Sequence, residues 1–191
     1  MSKKGEATKR IIKEHAIKLF AEKGFKDITM KDICEATELS RGGLYLHYGS
    51  TRQIFAEIID DLMSYQNNEF CEKMEQGLSA KEILSQVLER YQNEMMDTRG
   101  SLSVAIFEYF STEPLSNENA LLKQYEKSHL MWRQLLTYGI ERKEFKTVDI
   151  DAIFDLIVFS YQGVRMYGTL IPINEQIPVH IISLIKTILL P

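Results

Sequence analysis

An all-α fold, with a short N-terminal three-helix unit followed by a longer C-terminal helical bundle, is predicted by three features of these 191 residues. Long stretches are rich in Ala, Leu, Ile, Lys, Glu and Met, which favour helix. Only four prolines and ten glycines interrupt the chain. No run of alternating apolar and polar residues with turn chemistry argues for a sheet. At 45% hydrophobic, the chain can bury a sizeable core.

The first helix is expected over Glu6 to Lys23, where Ile11, Ile12, Ala16, Leu19 and Phe20 recur at three- and four-residue steps and Gly24 ends the run. Thr29, with Asp32 three residues on, suits the N-cap of a short second helix carrying Met30, Ile33, Cys34 and Thr37 on one face. Ser40 caps a third helix over Arg41 to Tyr48. So tight a link between two short helices, the "T-E-L" of residues 37–39, makes a helix-turn-helix. Ser50 or Thr51 opens a fourth helix through Phe55, Ile58, Ile59, Leu62 and Met63 to about Met74. Ser79 caps a helix from Ala80 to about Met96, and another runs through "SLSVAIFEYF" ahead of Pro114. A long helix from Asn117 to Arg142 carries Leu121, Leu122, Tyr125, His129, Trp132, Leu136 and Ile140 on one stripe. Helices over about Ile150–Leu170 and Pro178–Leu190 complete the chain, and the expected division is 6–66 and 67–191.

The formal net charge of −4 hides an asymmetry. Residues 1–55 carry eleven Lys/Arg against seven Asp/Glu, a balance of +4, and the rest carry twelve against twenty, a balance of −8. The basic end suits a polyanion and the acidic remainder a different partner. "MSKKGEATKR" has positive charges with no apolar segment behind it, unlike a signal peptide. The apolar stretches near Ile150–Ile171 and Val179–Leu190 are broken by Asp151, Asp155 and Arg165 or are too short to span a bilayer, so no membrane role is expected. Cys34 and Cys71 lack metal-like or redox-like spacing, which fits a cytoplasmic protein with reduced thiols. Catalysis is not expected. His15, His47, His129 and His180 are scattered, and no nucleophile–base pair, metal set, cofactor motif or Gly-rich phosphate loop is present.

The run from Ala16 to Phe55, "AIKLFAEKGFKDITMKDICEATELSRGGLYLHYGSTRQIF", resembles the N-terminal DNA-binding domain of the TetR family of bacterial transcriptional regulators. Its landmarks are "LFAEKGF" closing the first helix, "TMKDI" opening the second and "LSRGGLYLHYGS" forming the turn and recognition helix. The resemblance implies a homodimer that binds double-stranded operator DNA and releases it when a small molecule enters the C-terminal domain. Thr29 and Lys31 would then contact phosphates and fix register. Arg41, following the cap Ser40 where a recognition helix meets base edges, would contact a base or a phosphate, and a bidentate contact to guanine there is worth about 1–3 kcal/mol. By the same resemblance Tyr45 and His47 approach the phosphate backbone, and Tyr48 takes an aromatic core position. Ile33, Cys34, Leu39 and Leu44 are most simply core.

Three positions depart from the family pattern. Glu38 stands in the turn where glycine is usual, so a non-glycine residue is expected in the left-handed region at a cost of about 1 kcal/mol. Gly43 replaces a common Thr or Ser, and Thr51 replaces a frequent lysine, leaving Arg52 or the helix-four amides for that phosphate. Gly42 and Gly43 together cost about 0.5–1 kcal/mol each in a helix. They are expected to let the recognition helix press against helix two or the DNA backbone.

In the C-terminal part, Tyr91, Met95, Phe107, Phe110, Trp132 and Tyr161 could line an apolar cavity, with Glu94, Glu108, His129 or Arg165 as polar anchors. A small apolar or aromatic effector fits that set, and plain core packing of the same residues stays open. The penultimate helix is apolar on two faces: Ile153, Phe154, Ile157 and Tyr161 on one, Leu156, Phe159, Gly163 and Met166 on the other. One face suits the core and the other a second chain, giving a homodimer through the last two helices. Lys143 stands where the family frequently has glycine. The reading is a repressor released by its effector. The alternative is a helical small-molecule-binding or protein-interaction module without DNA-dependent regulation, which leaves the basic helix-turn-helix idle.

Overall fold

The computed structural model describes residues 3–65, 69–97, 100–113 and 119–191. Among these residues the regular elements are α-helices: α1 (Lys3–Lys23), α2 (Met30–Thr37), α3 (Arg41–Tyr45), α4 (Thr51–Tyr65), α5 (Glu69–Glu75), α6 (Ala80–Met96), α7 (Ser103–Phe110), α8 (Ala120–Glu141), α9 (Ile150–Tyr167) and α10 (Gln176–Leu189). They form two units, Met1–Gln66 with Arg99–Pro114, and Asn67–Thr98 with Leu115–Pro191. The fourth helix was expected to run unbroken to about Met74; its passage through 66–68 lies outside the described residues, as do residues 114–118, where the long helix was expected to begin.

In the first unit α1 begins at Lys3 rather than Glu6 and ends where Gly24 takes φ +79°, its N–H donating to the Phe20 carbonyl at 3.0 Å. Glu38 takes φ 58°, ψ 18° at the end of α2, the left-handed conformation expected of it. α3 stops at Tyr45, short of Tyr48, because its last turn tightens: His47 N–H donates to Leu44 O at 2.9 Å and Tyr48 N–H to the same oxygen at 3.1 Å. Ile12, Ala16, Phe20, Ile33, Leu44, Tyr48, Ile54, Phe55 and Ile58 form the core, and Cys34 and Leu39 are packed at its edge. α7 belongs to this core as well. Leu102 and Ala105 are buried in it, and Tyr109 meets the rings of Phe25 and Phe55 at 5.2 and 5.3 Å. Burial of these apolar side chains, about 1.5–3 kcal/mol for each large one, groups α7 with α1–α4 although it follows α6 in the chain.

The second unit is built on Ile83, Leu84, Val87, Leu88, Trp132, Leu135, Leu136, Phe154, Ile157, Ile182, Ile185 and Leu189. Ser79 caps α6 reciprocally with Glu82, and Asn119 and Asp149 cap α8 and α9 through side-chain oxygens. After α8, Lys143 takes φ 58°, and Glu144 and Phe145 N–H groups donate back to Gly139 O at 2.9 and 3.0 Å. The Phe145 ring fills the space over Gly139, where a Cβ would collide with it.

Stability tests these backbone assignments. Glu38→Gly and Lys143→Gly should each raise it by up to about 1 kcal/mol, since relief of the left-handed cost exceeds the added chain entropy. Gly139→Ala should lower it by about 1–3 kcal/mol through overpacking. Urea titration reads all three, and a lowered midpoint for both glycine variants would contradict the assignment.

Candidate functional site

The helix-turn-helix is held by two caps. Asp32 N–H donates to Thr29 Oγ1 at 3.3 Å, while Thr29 N–H and its hydroxyl donate to Asp32 Oδ2 at 2.8 and 2.5 Å. These hydrogen bonds from Thr29 hold the Asp32 carboxyl below the usual carboxylate range. The Thr29 hydroxyl is therefore engaged within the chain, which leaves Lys31, exposed and loosely paired with Glu35 at 3.6 Å, as the freer of the two candidates at the start of α2. Ser40 Oγ accepts the Gly43 N–H at 3.1 Å and starts α3.

Outward from α3 stand Arg41, Gly42, Tyr45 and Leu46, while Leu44 and Tyr48 are buried and His47 is half-buried. The Arg41 guanidinium lies 5.6 Å from the Tyr45 ring centre, which steadies it at the head of the helix. Burial raises the Tyr48 hydroxyl above its ordinary pKa, in keeping with a core position. The expected approach of the glycine pair to helix two is corrected. A Cβ on Gly42 would meet nothing within 4 Å, and one on Gly43 would meet only Ser40 Oγ at 3.2 Å. Gly42 is therefore not required by its own chain and leaves a gap on the outer surface, whereas a side chain on Gly43 would press on the hydroxyl that caps α3.

At α4 the cap is Ser50, whose Oγ accepts Gln53 N–H at 3.2 Å, and Gln53 Oε1 accepts Gly49 N–H at 2.8 Å in return. Thr51 is the half-buried first residue of α4. Arg52 is already engaged: it pairs with Glu113, reaches Thr112 Oγ1 at 3.4 Å and lies 4.8 Å from the Tyr109 ring centre. Local sequence offered no signal for this partner. Glu108, a candidate ligand anchor, instead accepts the Phe25 and Lys26 N–H groups at 2.6 and 3.0 Å.

Of the residues expected around an effector, the structure brings together Tyr91, Trp132, Tyr161 and Arg165. Tyr91 stacks on Tyr161 at 4.5 Å and lies 6.2 Å from Trp132, which meets Phe70 at 5.3 Å. The Tyr161 hydroxyl bonds to Glu94 and accepts from Arg165 Nη1 at 2.6 Å. Burial, helped by Glu94, raises the Tyr161 pKa, and burial does the same for Tyr91. The result is an aromatic wall with one acid–phenol–guanidinium chain at its edge. Met95 and Trp132 are each 1% exposed within the core. His129 lies apart from that chain, with Nε2 2.8 Å from Asp151 Oδ1 and its ring 4.7 Å from Phe154. Phe107 and Phe110 belong to the first unit, Phe107 being 61% exposed and Phe110 packed at that unit's core. A groove of about 580 Å³, lined among others by Gln92, Lys146, Ile182, Lys186 and Leu190, involves none of the expected effector residues.

Residues 12–58 match the profile "Bacterial regulatory proteins, tetR family", and residues 83–180 match "Tetracyclin repressor-like, C-terminal domain". The chain is similar to the uncharacterized HTH-type transcriptional regulator YfiR of Bacillus subtilis (strain 168), at 31% identity over 142 residues covering 72% of this chain and 67% of that one. It is also similar to the HTH-type transcriptional repressor KstR2 of Rhodococcus jostii (strain RHA1), at 26% identity over 156 residues covering 80% and 76%. Its fold is similar to a crystal structure of a TetR transcription regulator from Haloarcula marismortui ATCC 43049, with a TM-score of 0.74 at 16% identity over 96% of this chain and 99% of that one. No helix among the described residues is long and apolar enough to cross a membrane.

Proposed function

The chain belongs to the tetR family of bacterial regulatory proteins, and on that footing we propose that it is a ligand-responsive transcriptional repressor, acting in the cytoplasm by binding rather than by catalysis. The observation that carries this reading is the outward face of α3, where Arg41 and Tyr45 stand exposed on a helix anchored by buried Leu44 and Tyr48. That disposition suits a helix entering a major groove. The basic balance of residues 1–55 supports the choice of partner. Lys31, Arg41, Tyr45, His47 and, once released from Glu113, Arg52 are the contacts proposed. Similarity to a relative named as a repressor supports the direction of control.

A homodimer sets two copies of α3 in major grooves about one helical turn apart. The proposed interface is the outer face of α9 and α10, where Phe159 and Leu184 are 64% and 53% exposed while Ile157 and Ile182 on the opposite faces are buried. A helix apolar on two sides needs cover on both, and an isologous partner supplies it. The effector proposed is a small apolar or aromatic molecule that replaces the Tyr91–Tyr161 stack and meets the Glu94–Tyr161–Arg165 chain with its polar end.

Coupling follows from chain connectivity. α7 lies in sequence between α6 and α8 of the second unit but is built into the first. A ligand-driven shift of α6 or α8 therefore reaches α7 through the backbone, and α7 with the residues after it holds the turn following α1 and Arg52. A coupling of about 1–3 kcal/mol changes DNA affinity about 5–150-fold.

Selection from a random DNA pool should yield a two-fold symmetric site bound with steep salt dependence; binding without sequence preference contradicts the reading. Arg41→Ala should relax preference at one guanine per half-site by about 1–3 kcal/mol and leave the sedimentation coefficient unchanged. Phe159→Asp combined with Leu184→Asp should sediment as a helical monomer that has lost tight operator binding, and a persisting dimer would place the interface elsewhere.

A further inference from the structure

Leu46 is, among the described residues, the most exposed large apolar side chain of the first unit, at 85%, and lies outside the α9 and α10 face assigned to a second copy. Its N–H donates to Gly42 O at 3.1 Å, so it stands one helical turn from Gly42 on the same face. Side chains on a helix lean toward its N-terminus, which aims Leu46 over the space that Gly42 leaves empty. The outward face of α3 therefore has few hydrogen-bonding groups: the Arg41 guanidinium and the Tyr45 hydroxyl, beside a glycine gap and an isobutyl group.

In the major groove the one apolar feature that distinguishes a base is the 5-methyl group of thymine. We propose that Leu46, approaching closely because Gly42 carries no side chain, reads thymine methyl groups beside the guanine contacted by Arg41. Leu46 is thus a specificity-determining residue, and each half-site contains a thymine whose methyl is covered on binding. Gly42 gives clearance for that contact rather than for packing within the chain. This inference rests on the operator-binding reading above and extends it to base identity.

Single replacement of each operator thymine by deoxyuridine removes only the methyl group. Wild-type protein should lose about fourfold in affinity per covered methyl at one or two positions per half-site. Leu46→Ala should keep the thermal midpoint of the wild type, keep its dependence on the guanine, and become indifferent to deoxyuridine at those same positions. Gly42→Ala, which meets nothing in the fold and removes a helix glycine, should keep or raise the midpoint while the methyl effect shrinks. Wild-type indifference to deoxyuridine throughout, or a Leu46→Ala protein as sensitive as wild type, overturns this inference alone. Absence of any sequence-preferring binding overturns the repressor reading with it.

Discussion

The carboxylate of Glu108 accepts the backbone N–H groups of Phe25 and Lys26 at 2.6 and 3.0 Å, and the arrangement of the first unit hangs on that closure. Gly24 must take a left-handed conformation to turn the two amides toward α7, and a Cβ there would come within 2.6 Å of Glu108 Oε2. Two otherwise unpaired donors at a helix exit are thereby satisfied by a charged acceptor, a stronger bond than a neutral one. The exit from α1 sets the start of α2, and the cap at Thr29 and the left-handed Glu38 then set the direction of α3. The outward face of α3 is thus fixed through a side chain from α7.

That closure is one of two roles α7 has within the first unit. Its apolar side, Leu102, Ala105 and Tyr109, completes the core shared by α1 and α4. Its polar residues, with the segment just beyond it, engage the turn after α1 and the first turn of α4. Arg52 is the cation nearest in role to the lysine that the family often places at the start of that helix, and here a carboxylate occupies it. On the proposed reading, a DNA phosphate and Glu113 would compete for one guanidinium, which would link the segment after α7 to DNA affinity.

Much of this was legible in the sequence because it is local. The caps at Thr29, Ser40, Ser79 and the exit at Gly24 are written in three or four consecutive residues, and Glu38 and Lys143 adopt the left-handed backbone that their positions demand. Buried Ile33 and Leu44 follow from helical periodicity. What could not be read depends on contacts far apart in the chain. Glu108 meets residue 25 and Glu113 meets residue 52, and no pattern in either segment announces it. For the same reason Phe107 and Phe110, aromatic and suitably spaced, were grouped with Tyr91 and Trp132 although their helix joins the other unit. The reading of Gly42 changed most: the structure removes the internal crowding that would explain it and leaves its cause on the outer surface.

The proposed exchange of Arg52 between Glu113 and DNA is read by a double-mutant cycle on operator affinity using Glu113→Gln and Arg52→Ala. Release of an exposed pair is worth about 0.2–1 kcal/mol, so Glu113→Gln should tighten binding by roughly 1.4- to fivefold, and that gain should vanish in the Arg52→Ala background. A gain that persists without Arg52, or no gain at all, would contradict the account.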